Sequence, residues 1–274
     1  MKSILITGCS TGIGLQTALL LQKENYNVFA TARKEEDVQK LSKLGLQSYL
    51  LDVTKYDTID DTFDKILKKT NGKLDILFNN AGYGQAGAIE DIKIEDLKVQ
   101  FETNVFGLHY ITTKAIKIMR NQGYGKIIQH SSILGLVSLK YRGAYNASKY
   151  AIEGLSDTLR LELLDEPNIF VTLLNTGPII SEFRNNALKT FKNIDIQNSH
   201  FKNIYEKDLI SRKNGTKKNI PFTLYPIDVA KIVLKIIKTK KPKPRYYITK
   251  ATTILIYCKR VLSTNLLDKI LNKI

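Results

Sequence analysis

Short apolar runs alternate with helical segments along most of this 274-residue chain, and no other feature constrains its fold as strongly. The runs that read as strands lie at 3–7, 26–32, 47–53, 74–82, 125–132, 169–177 and 245–249. Short apolar runs separated by helices are typical of parallel strands that are buried on both faces of a sheet. We therefore predict an α/β fold with a doubly wound parallel sheet in a single domain.

The alternation stops between residues 181 and 225, where Asn and Lys are abundant and aromatic residues are interspersed. A long irregular stretch in a compact domain is commonly a binding loop, so we predict an irregular substrate lid here. Residues 251–274 are amphipathic and basic, and we predict a helical extension beyond a main domain of residues 1–250. Such an extension could pack on the body, pair subunits or lie on a membrane surface as a peripheral contact.

The net charge of +16 is concentrated in residues 201–274, which hold 18 basic and four acidic side chains. A basic region can bind nucleic acid or an anionic membrane, or it can reflect a lysine-rich composition. We find no nucleic-acid recognition motif and predict no specific nucleic-acid partner. No uncharged apolar run reaches the length of a membrane span, and the N-terminus reads as a strand and not as a signal peptide.

The cysteines and histidines argue against a disulfide framework and against a metal site. Cys9 and Cys258 are far apart and form no CxxC pattern, which indicates a reducing, cytoplasmic setting. His109, His130 and His200 lack the spacing of metal ligands, so each is expected to be structural or to face solvent. We predict no metal.

A glycine-rich turn, TGCSTGIG, follows the first predicted strand and opens the first helix at residues 7–14. Glycines let the backbone approach a pyrophosphate, and a helix N-terminus supplies free N–H groups and a positive dipole end. The spacing is TGxxxGxG and so differs from the GxGxxG fingerprint. The position still predicts a Rossmann-like dinucleotide site. The loop residues expected to contact the cofactor are Gly8, Ser10, Thr11, Gly12, Ile13 and Gly14.

The end of the second strand predicts which dinucleotide is bound. No acidic residue occurs at 28–32, and Arg33 and Lys34 follow. An acid there would favour NAD, whereas an arginine suits the 2′-phosphate of NADP by its charge and its fork of donors. We therefore expect NADP in preference to NAD. Two alternatives remain: Arg33 could simply face solvent, and Glu35 or Glu36 could serve a NAD ribose.

Four further motifs accompany the loop: NNAG at 79–82, NVFG at 104–107, HSS at 130–132 and YNASK at 145–149. Their order and spacing over residues 3–182 resemble the short-chain dehydrogenase/reductase family, and more narrowly its shorter, single-domain branch. Each motif alone is modest, but the set is specific.

The resemblance implies a catalytic group in which Tyr145 is the general acid or base. A free phenol has a pKa of about 10, and a nearby cation lowers that pKa. Because helical spacing puts Lys149 beside Tyr145, we expect Lys149 to lower the pKa of the Tyr145 phenol. In the family this lysine also holds the nicotinamide ribose. Ser132, 13 residues before Tyr145, matches the serine that bonds the substrate oxygen, with Ser131 as the neighbour that could be confused with it. Asn104 matches the asparagine that holds a relay water.

The resemblance implies more cofactor contacts at the ends of the third and fourth strands. Asp52 matches the acid that contacts adenine, and Val53 follows it. The turn lining the adenosine ribose is matched by Asn80, Ala81 and Gly82. For one of the two asparagines at 79 and 80, a purely structural tie between strands is expected.

The segment NTGPIISEF at 175–183 departs from the family pattern. The family commonly has Pro-Gly there, then a threonine four residues after the glycine; here Thr176 replaces the proline and Ser181 the threonine. Gly177 and Ile179 are in place. Because serine keeps the hydroxyl, we expect Ile179 and Ser181 to contact the cofactor. Loss of the proline removes a φ constraint, which predicts a looser loop.

The reaction implied is hydride transfer between nicotinamide C4 and a carbonyl or alcohol carbon, with Ser132 and Tyr145 stabilising the developing oxyanion. The segments ITGCSTGIG, FATAR and GPI also resemble family members that act on retinoids, steroids or fatty aldehydes. We therefore predict NADPH-dependent reduction of an apolar aldehyde or ketone by a homo-oligomer. The alternative is a non-catalytic dinucleotide-binding regulatory protein; such proteins usually lack the tyrosine or the lysine, and both are present here.

Overall fold

The computed structural model describes residues 1–183, 186–187, 190–213 and 221–274. The strands are β1 (Ser3–Ile6), β2 (Asn27–Ala32), β3 (Gln47–Leu50), β4 (Ile76–Asn79), β5 (Gly125–Ser132), β6 (Ile169–Thr176) and β7 (Arg245–Tyr247). The helices are α1 (Gly12–Lys23), α2 (Glu35–Lys43), α3 (Tyr56–Lys69), α4 (Ile94–Phe101), α5 (Gly107–Gln122), α6 (Gly143–Glu162), α7 (Lys202–Lys213), α8 (Pro226–Lys238), α9 (Lys250–Val261) and α10 (Thr264–Leu271).

All seven strands form one parallel sheet in the order β3-β2-β1-β4-β5-β6-β7. The chain moves outward from β1 to β3 and then returns to the other side of β1 at β4. The carboxyl ends of β1 and β4 therefore lie at a topological switch point, where ligands bind in open α/β sheets. The predicted Rossmann-like, doubly wound single domain is confirmed, and the predicted site residues are expected at this edge of the sheet.

Apolar side chains of the strands point alternately to two cores. Ile4 and Ile6 face the core that α1 and α8 cover, whereas Leu5 faces the core that α3 and α5 cover. Successive side chains of a strand point to opposite faces, and both faces are covered by helices. This is why the strands read as continuous apolar runs and not as alternating patterns.

The long helical region predicted at 94–122 contains a π-helical turn at Glu102–Phe106 between α4 and α5. The N–H of Gly107 donates to the carbonyl of Glu102, five residues back. Such a turn inserts one residue into a helix and is frequent at functional sites. Asn104 lies within it and is buried.

The prediction of an irregular lid at about 181–225 is wrong in part, because this segment contains helix α7 and a 3₁₀ turn at Thr190–Asn193. Phe191 and Tyr205 are buried against Ala86 and Ala88 of the segment after β4. Tertiary packing of this kind stabilises helices whose local pattern is weak. The parts of the predicted lid at 184–185, 188–189 and 214–220 lie outside the described residues.

The C-terminal extension forms two helices, α9 and α10, which are separated at Leu262 and Ser263. Thr252, Ile256 and Leu267 are the buried residues of the pair. The helix α9 begins at Lys250, one residue before the predicted extension. Within the described ranges, no helix is long and apolar enough to cross a membrane.

Candidate active site

The loop between β1 and α1 has the geometry of a phosphate cradle. Gly8 has φ +70° and Gly12 has φ +60°, values that L side chains rarely adopt. A Cβ on Gly8 would lie 2.8 Å from the Cα of Ala81, so only glycine fits there. Thr11 is the N-cap residue of α1 and has an extended backbone, but its side chain does not bond to the N–H groups of the first turn. The first turn also contains no acidic residue. The N–H groups of this turn are therefore available to an anion.

The turn after β4 is bonded directly to this loop. The Thr7 hydroxyl accepts hydrogen bonds from the N–H groups of Asn80 (3.0 Å) and Ala81 (2.9 Å). The Asn80 amide nitrogen donates to the carbonyls of Thr7 (2.9 Å) and Gly8 (3.0 Å). The two segments predicted to hold the pyrophosphate and the adenosine ribose thus form one unit at the switch point.

Asn79 is the structural member of the asparagine pair. Its side chain is buried and its amide nitrogen donates to Thr112 Oγ1 and to Gln129 Oε1, both at 2.9 Å. It joins β4 to β5 and α5 beneath the site. The expectation that one of the two asparagines is a tie between strands is therefore confirmed for Asn79.

The residues predicted to meet the adenosine half follow β2 and β3. Arg33 is exposed directly after β2. Among the described residues, its guanidinium has no hydrogen-bond or ion-pair partner, whereas Lys34 Nζ lies 3.4 Å from Glu36 Oε1. Asp52 and Val53 follow β3, and Asp52 Oδ1 accepts from the N–H (3.0 Å) and the hydroxyl (2.8 Å) of Thr54. All of these residues lie at the carboxyl edge of the sheet.

Ser132, Tyr145 and Lys149 are brought together between the end of β5 and helix α6, and all three are buried. Ser132 Oγ accepts from the N–H of Leu134 at 3.1 Å. Lys149 Nζ donates to the carbonyl of His130 at 2.6 Å and lies 5.7 Å from the ring centroid of Tyr145. The predicted trio therefore shares one buried site at the same edge as the phosphate loop.

The electrostatics of Tyr145 differ from the prediction. Burial raises the pKa of Tyr145 to about 12, and a hydrogen bond from Ser132 and the charge of Arg142 oppose this rise. Burial also lowers the pKa of Lys149 to about 8, with Glu153 opposing. The expectation that Lys149 lowers the phenol pKa is wrong for this structure, because removal from water dominates at both groups.

Asn104 joins the segment after β4 to helix α6. Its Oδ1 accepts from the N–H of Tyr83 at 3.1 Å, and its Nδ2 donates to the carbonyl of Tyr83 at 2.9 Å and to Ser148 Oγ at 3.1 Å. The side chain is thus engaged at both ends. A relay water at this position would have to bond to the main chain of the π-helical turn.

Two main-chain hydrogen bonds join the loop after β6 to Leu224, which precedes α8. The N–H of Leu224 donates to the carbonyl of Pro178 at 3.1 Å, and the N–H of Ile180 donates back to Leu224 at 2.9 Å. These bonds fix the intervening Ile179, which is buried. They also set Ser181 over the phosphate loop, since a Cβ on Gly12 would lie 3.5 Å from the Cβ of Ser181.

A hydrogen-bonded chain through His130 also fixes this loop, and sequence reasoning missed it. His130 Nδ1 lies 3.1 Å from Asn80 Oδ1, and Nε2 lies 3.1 Å from Thr176 Oγ1. Because the Asn80 nitrogen already donates to two carbonyls, its Oδ1 must accept, so Nδ1 carries the proton and Nε2 accepts from Thr176. Burial, with the nearby Lys149 charge, lowers the pKa of His130 to about 3, so the imidazole is neutral.

Thr176, which replaces the usual proline, therefore reaches the phosphate loop through His130 and Asn80. The only sequence signal for this role was the position of His130 directly before Ser131 and Ser132.

The start of the lid forms an apolar wall beside Tyr145. The rings of Phe183 and Tyr145 are 5.5 Å apart, and a Cβ on Gly84 would lie 3.0 Å from Phe183 Cζ. The sequence predicts an aromatic-rich lid that suits an apolar substrate, but it does not show which ring packs on Tyr145. The lid aromatics contact residues that are distant in the sequence, so no local sequence pattern predicts these contacts.

The lid is anchored farther along at Tyr205. The Tyr205 hydroxyl accepts from the N–H of Ala88 at 2.7 Å and donates to Asp91 Oδ2 at 2.5 Å. This anchor joins α7 of the lid to the segment that follows β4. Among the residues that the structure describes, no group of His, Cys, Asp or Glu is arranged to hold a metal ion.

Comparison with known proteins identifies the family. The family model for "short chain dehydrogenase" matches residues 2–191, which is more than half of the chain. The chain belongs to the short-chain dehydrogenase/reductase family. It is 37% identical over 270 residues to an uncharacterized oxidoreductase, YbbO, of Escherichia coli, covering 98% of this chain and 94% of the relative.

Two other relatives have named activities. An NADPH-dependent 1-acyldihydroxyacetone phosphate reductase of Schizosaccharomyces pombe is 34% identical over 218 residues, which is 79% of this chain and 73% of the relative. Retinol dehydrogenase 8 of Bos taurus is 30% identical over 274 residues, 94% of this chain and 85% of the relative. The solved structure of ElxO with NADP bound is 28% identical, with a TM-score of 0.72 over 90% of this chain and 96% of that one.

This short-chain dehydrogenase/reductase has residues that fit the nicotinamide dinucleotide of its family. The cradle at Gly8 would be filled by any Cβ, the first turn of α1 is open to an anion, and Lys149 is held beside Tyr145. The protein is thus an oxidoreductase of this family, and the residues that fit the cofactor lie at the carboxyl ends of β1 and β4 and at the start of α6.

Proposed function

We propose that this oxidoreductase catalyses the NADPH-dependent reduction of an apolar aldehyde or ketone of retinoid, steroid or fatty-aldehyde type. The observation that carries the proposal is the convergence of Ser132, Tyr145 and Lys149 in one buried site next to the phosphate loop. The alternative, a regulatory protein that binds the dinucleotide without catalysis, gains no support from a chain that keeps all three groups.

In the proposed reaction, Ser132 and Tyr145 donate hydrogen bonds to the substrate carbonyl oxygen. When bound, the reduced nicotinamide supplies the hydride. As negative charge grows on the oxygen, Tyr145 stabilises it and transfers its phenolic proton to it. Lys149, which would also hold the nicotinamide ribose, then returns a proton from its ammonium group to the phenolate through water and regains one from solvent.

The direction of reaction is supported by the pKa values of these groups. Burial raises the pKa of Tyr145 to about 12, so the phenol holds its proton at neutral pH. A protonated phenol is the form that reduction of a carbonyl requires. Burial lowers the pKa of Lys149 to about 8, which makes it a ready proton source near neutrality.

The preference for NADP rests on Arg33. Its guanidinium is exposed at the end of β2 and unpaired among the described residues, whereas Glu36 lies beside Lys34. A free arginine suits a phosphate better than a neutral ribose hydroxyl. The NADPH-dependent relative and the NADP-bound solved structure support the same preference.

An apolar substrate is supported by the surroundings of Tyr145. Phe183 packs on the tyrosine ring, and the lid continues into the apolar cluster that contains Phe191 and Tyr205. One relative acts on retinol and another on an acyl-lipid ketone, by their names. Retinol and an acyl group are both largely apolar, which agrees with an apolar substrate.

A carbonyl panel tests this substrate class. NADPH oxidation is followed with short and long aldehydes, a retinoid and a steroid ketone, each with wild type and with Phe183→Ala. We expect KM to fall as the apolar chain lengthens, and the variant to lose this trend while it keeps NADPH binding. Equal activity on short and long carbonyl compounds would contradict the proposed substrate class, but it would still agree with the proposed carbonyl reduction.

We further propose that the protein forms a homo-oligomer in a cytoplasmic setting. The homo-oligomer is supported by the family resemblance, and the cytoplasmic setting is supported by the cysteine pattern. Sedimentation velocity of the purified protein measures the oligomeric state directly, and the sedimentation coefficient of a monomer at micromolar concentration would contradict the proposed oligomer.

A further inference from the structure

Helix α9 presents an apolar stripe away from the body of the protein. Ile254, Tyr257 and Val261 are 52%, 62% and 77% exposed. Their spacing puts them on one side of the helix, opposite the buried Thr252 and Ile256. Large apolar side chains aligned in this way on the surface mark a site of interaction.

The stripe continues on the neighbouring helix. Leu267 is buried and holds α10 against the body, whereas Leu266 and the terminal Ile274 are exposed. We define the C-terminal stripe as Ile254, Tyr257, Val261, Leu266 and Ile274.

The surroundings of the C-terminal stripe are strongly basic. Residues 239–274 hold nine lysines and arginines and one acidic residue, Asp268. Lys250, Arg260 and Lys273 are exposed, and among the described residues none of the three has an ion-pair partner. The face therefore combines apolar side chains with unneutralised positive charge.

We propose that α9 and α10 dock on an anionic phospholipid bilayer, with the C-terminal stripe inserted at the boundary of headgroups and acyl chains. An amphipathic helix with basic flanks binds such a surface through both of these contributions. A second copy of the same face would bring like charges together, and a nucleic acid would leave the apolar stripe in water.

Docking would also bring the bilayer close to the catalytic edge of the sheet. Helix α9 begins just after the carboxyl end of β7. A cavity of about 980 Å³ lies between α10 and the segment 137–150, and Leu139, Leu267 and Leu271 are among its lining residues. The docking itself does not depend on the proposed reaction.

Vesicle flotation of the full-length protein tests the proposal. We compare phosphatidylcholine vesicles with vesicles that contain about 30% phosphatidylserine, which carry a negative surface potential. We expect binding to the anionic vesicles only, and its loss as salt rises from about 0.05 M to about 1 M. Failure of the wild type to bind anionic vesicles at low salt would overturn the proposal.

Two variants separate the apolar and the electrostatic contributions. Ile254→Ser with Val261→Ser should lower the fraction bound at least about tenfold, and Arg260→Glu with Lys273→Glu should do the same. The matched apolar control is Leu161→Ser with Leu164→Ser, on residues 56% and 69% exposed. The matched charge control is Lys43→Glu with Lys68→Glu, near β3 at the opposite edge of the sheet.

Both controls should bind like wild type, and circular dichroism checks the fold of every variant. Equal loss with the controls, or retention by both C-terminal variants, would contradict docking through this face. If the Ile254/Val261 variant instead changes a dimer into a monomer in sedimentation and keeps vesicle binding, the stripe is a subunit contact and the proposal is wrong.

Discussion

Lys149 Nζ donates a 2.6 Å hydrogen bond to the main-chain carbonyl of His130. This bond joins helix α6 to strand β5 two residues before Ser132, and it holds Lys149 close to the proposed catalytic serine. It also draws the lysine into a buried site, where its charge is costly. The consequences of this arrangement can be tested in activity, pH dependence and stability.

Tyr145→Phe removes the proposed acid and keeps the ring that packs on Phe183. General acid catalysis contributes roughly 10²–10⁴-fold, so kcat for carbonyl reduction should fall by about that factor while the Kd for NADPH stays the same. Steady-state kinetics and cofactor fluorescence titration measure the two. Tyr150→Phe, five residues along the same helix, is the control and should keep full activity.

Reduction should slow as the pH rises through about 8, because burial lowers the pKa of Lys149 to about 8 and the ammonium is the proton source. The profile of kcat against pH from 6 to about 10 checks this. A rate that increases with pH in the direction of reduction would contradict the role assigned to Lys149.

Lys149 should also lower the free energy of unfolding at neutral pH, although activity depends on it. Its folded pKa lies below the unfolded value of 10.5, so the unfolded chain binds the proton more tightly. The charged lysine therefore costs stability below pH 8, and stability is regained as the pH rises from about 8 to 10.5. We expect Lys149→Met to raise Tm by about 2 °C or more at pH 7 and to abolish activity. A lower Tm at pH 7 would contradict this.

His130 should make the protein sensitive to acid. Burial lowers the pKa of His130 from 6.5 to about 3, so the unfolded state binds this proton first and stability is lost as the pH falls from 6.5 towards 3. In His130→Gln the acid unfolding midpoint should move to lower pH. At pH 8 the variant should be less stable by about 1–2 kcal/mol, because hydrogen bonds to Asn80 and Thr176 are altered.

Chemical denaturation across pH measures both effects, and NADPH binding should weaken because Asn80 is bonded to the phosphate loop. The exposed His109 provides the control. If His109→Gln changes acid stability as much as His130→Gln, the assignment is wrong.

Arg33→Ala should raise KM for NADPH by about 10–100-fold and leave KM for NADH nearly unchanged, since an arginine makes charge-assisted bonds to a phosphate. Lys34→Ala is the matched control, because that lysine is exposed beside Glu36. Equal effects of the two substitutions, or equal effects on both cofactors, would remove Arg33 as the reader of the phosphate.

The sequence predicts the strands, the sheet type and the motif positions because these depend on local patterns. Apolar runs predict buried parallel strands, and the loop between β1 and α1 needs its glycines in place. Even the tie at Asn79 was foreseen, as one of two adjacent asparagines.

Features that depend on distant contacts were beyond the sequence. Helix α7 depends on the burial of Tyr205 against the segment after β4, and the chain from Thr176 to Asn80 runs through an imidazole on a third segment. The pKa of Tyr145 was misjudged because helical spacing shows a neighbouring cation but not the depth of burial around both groups.

The most direct test of the central claim is the oxidation of NADPH by purified protein with a retinoid or long-chain aldehyde, measured by the absorbance of the reduced nicotinamide. The account predicts turnover that is faster with NADPH than with NADH and absent in Tyr145→Phe. NADPH that binds without being oxidised by any carbonyl of the panel, in wild type as in the variant, would contradict it.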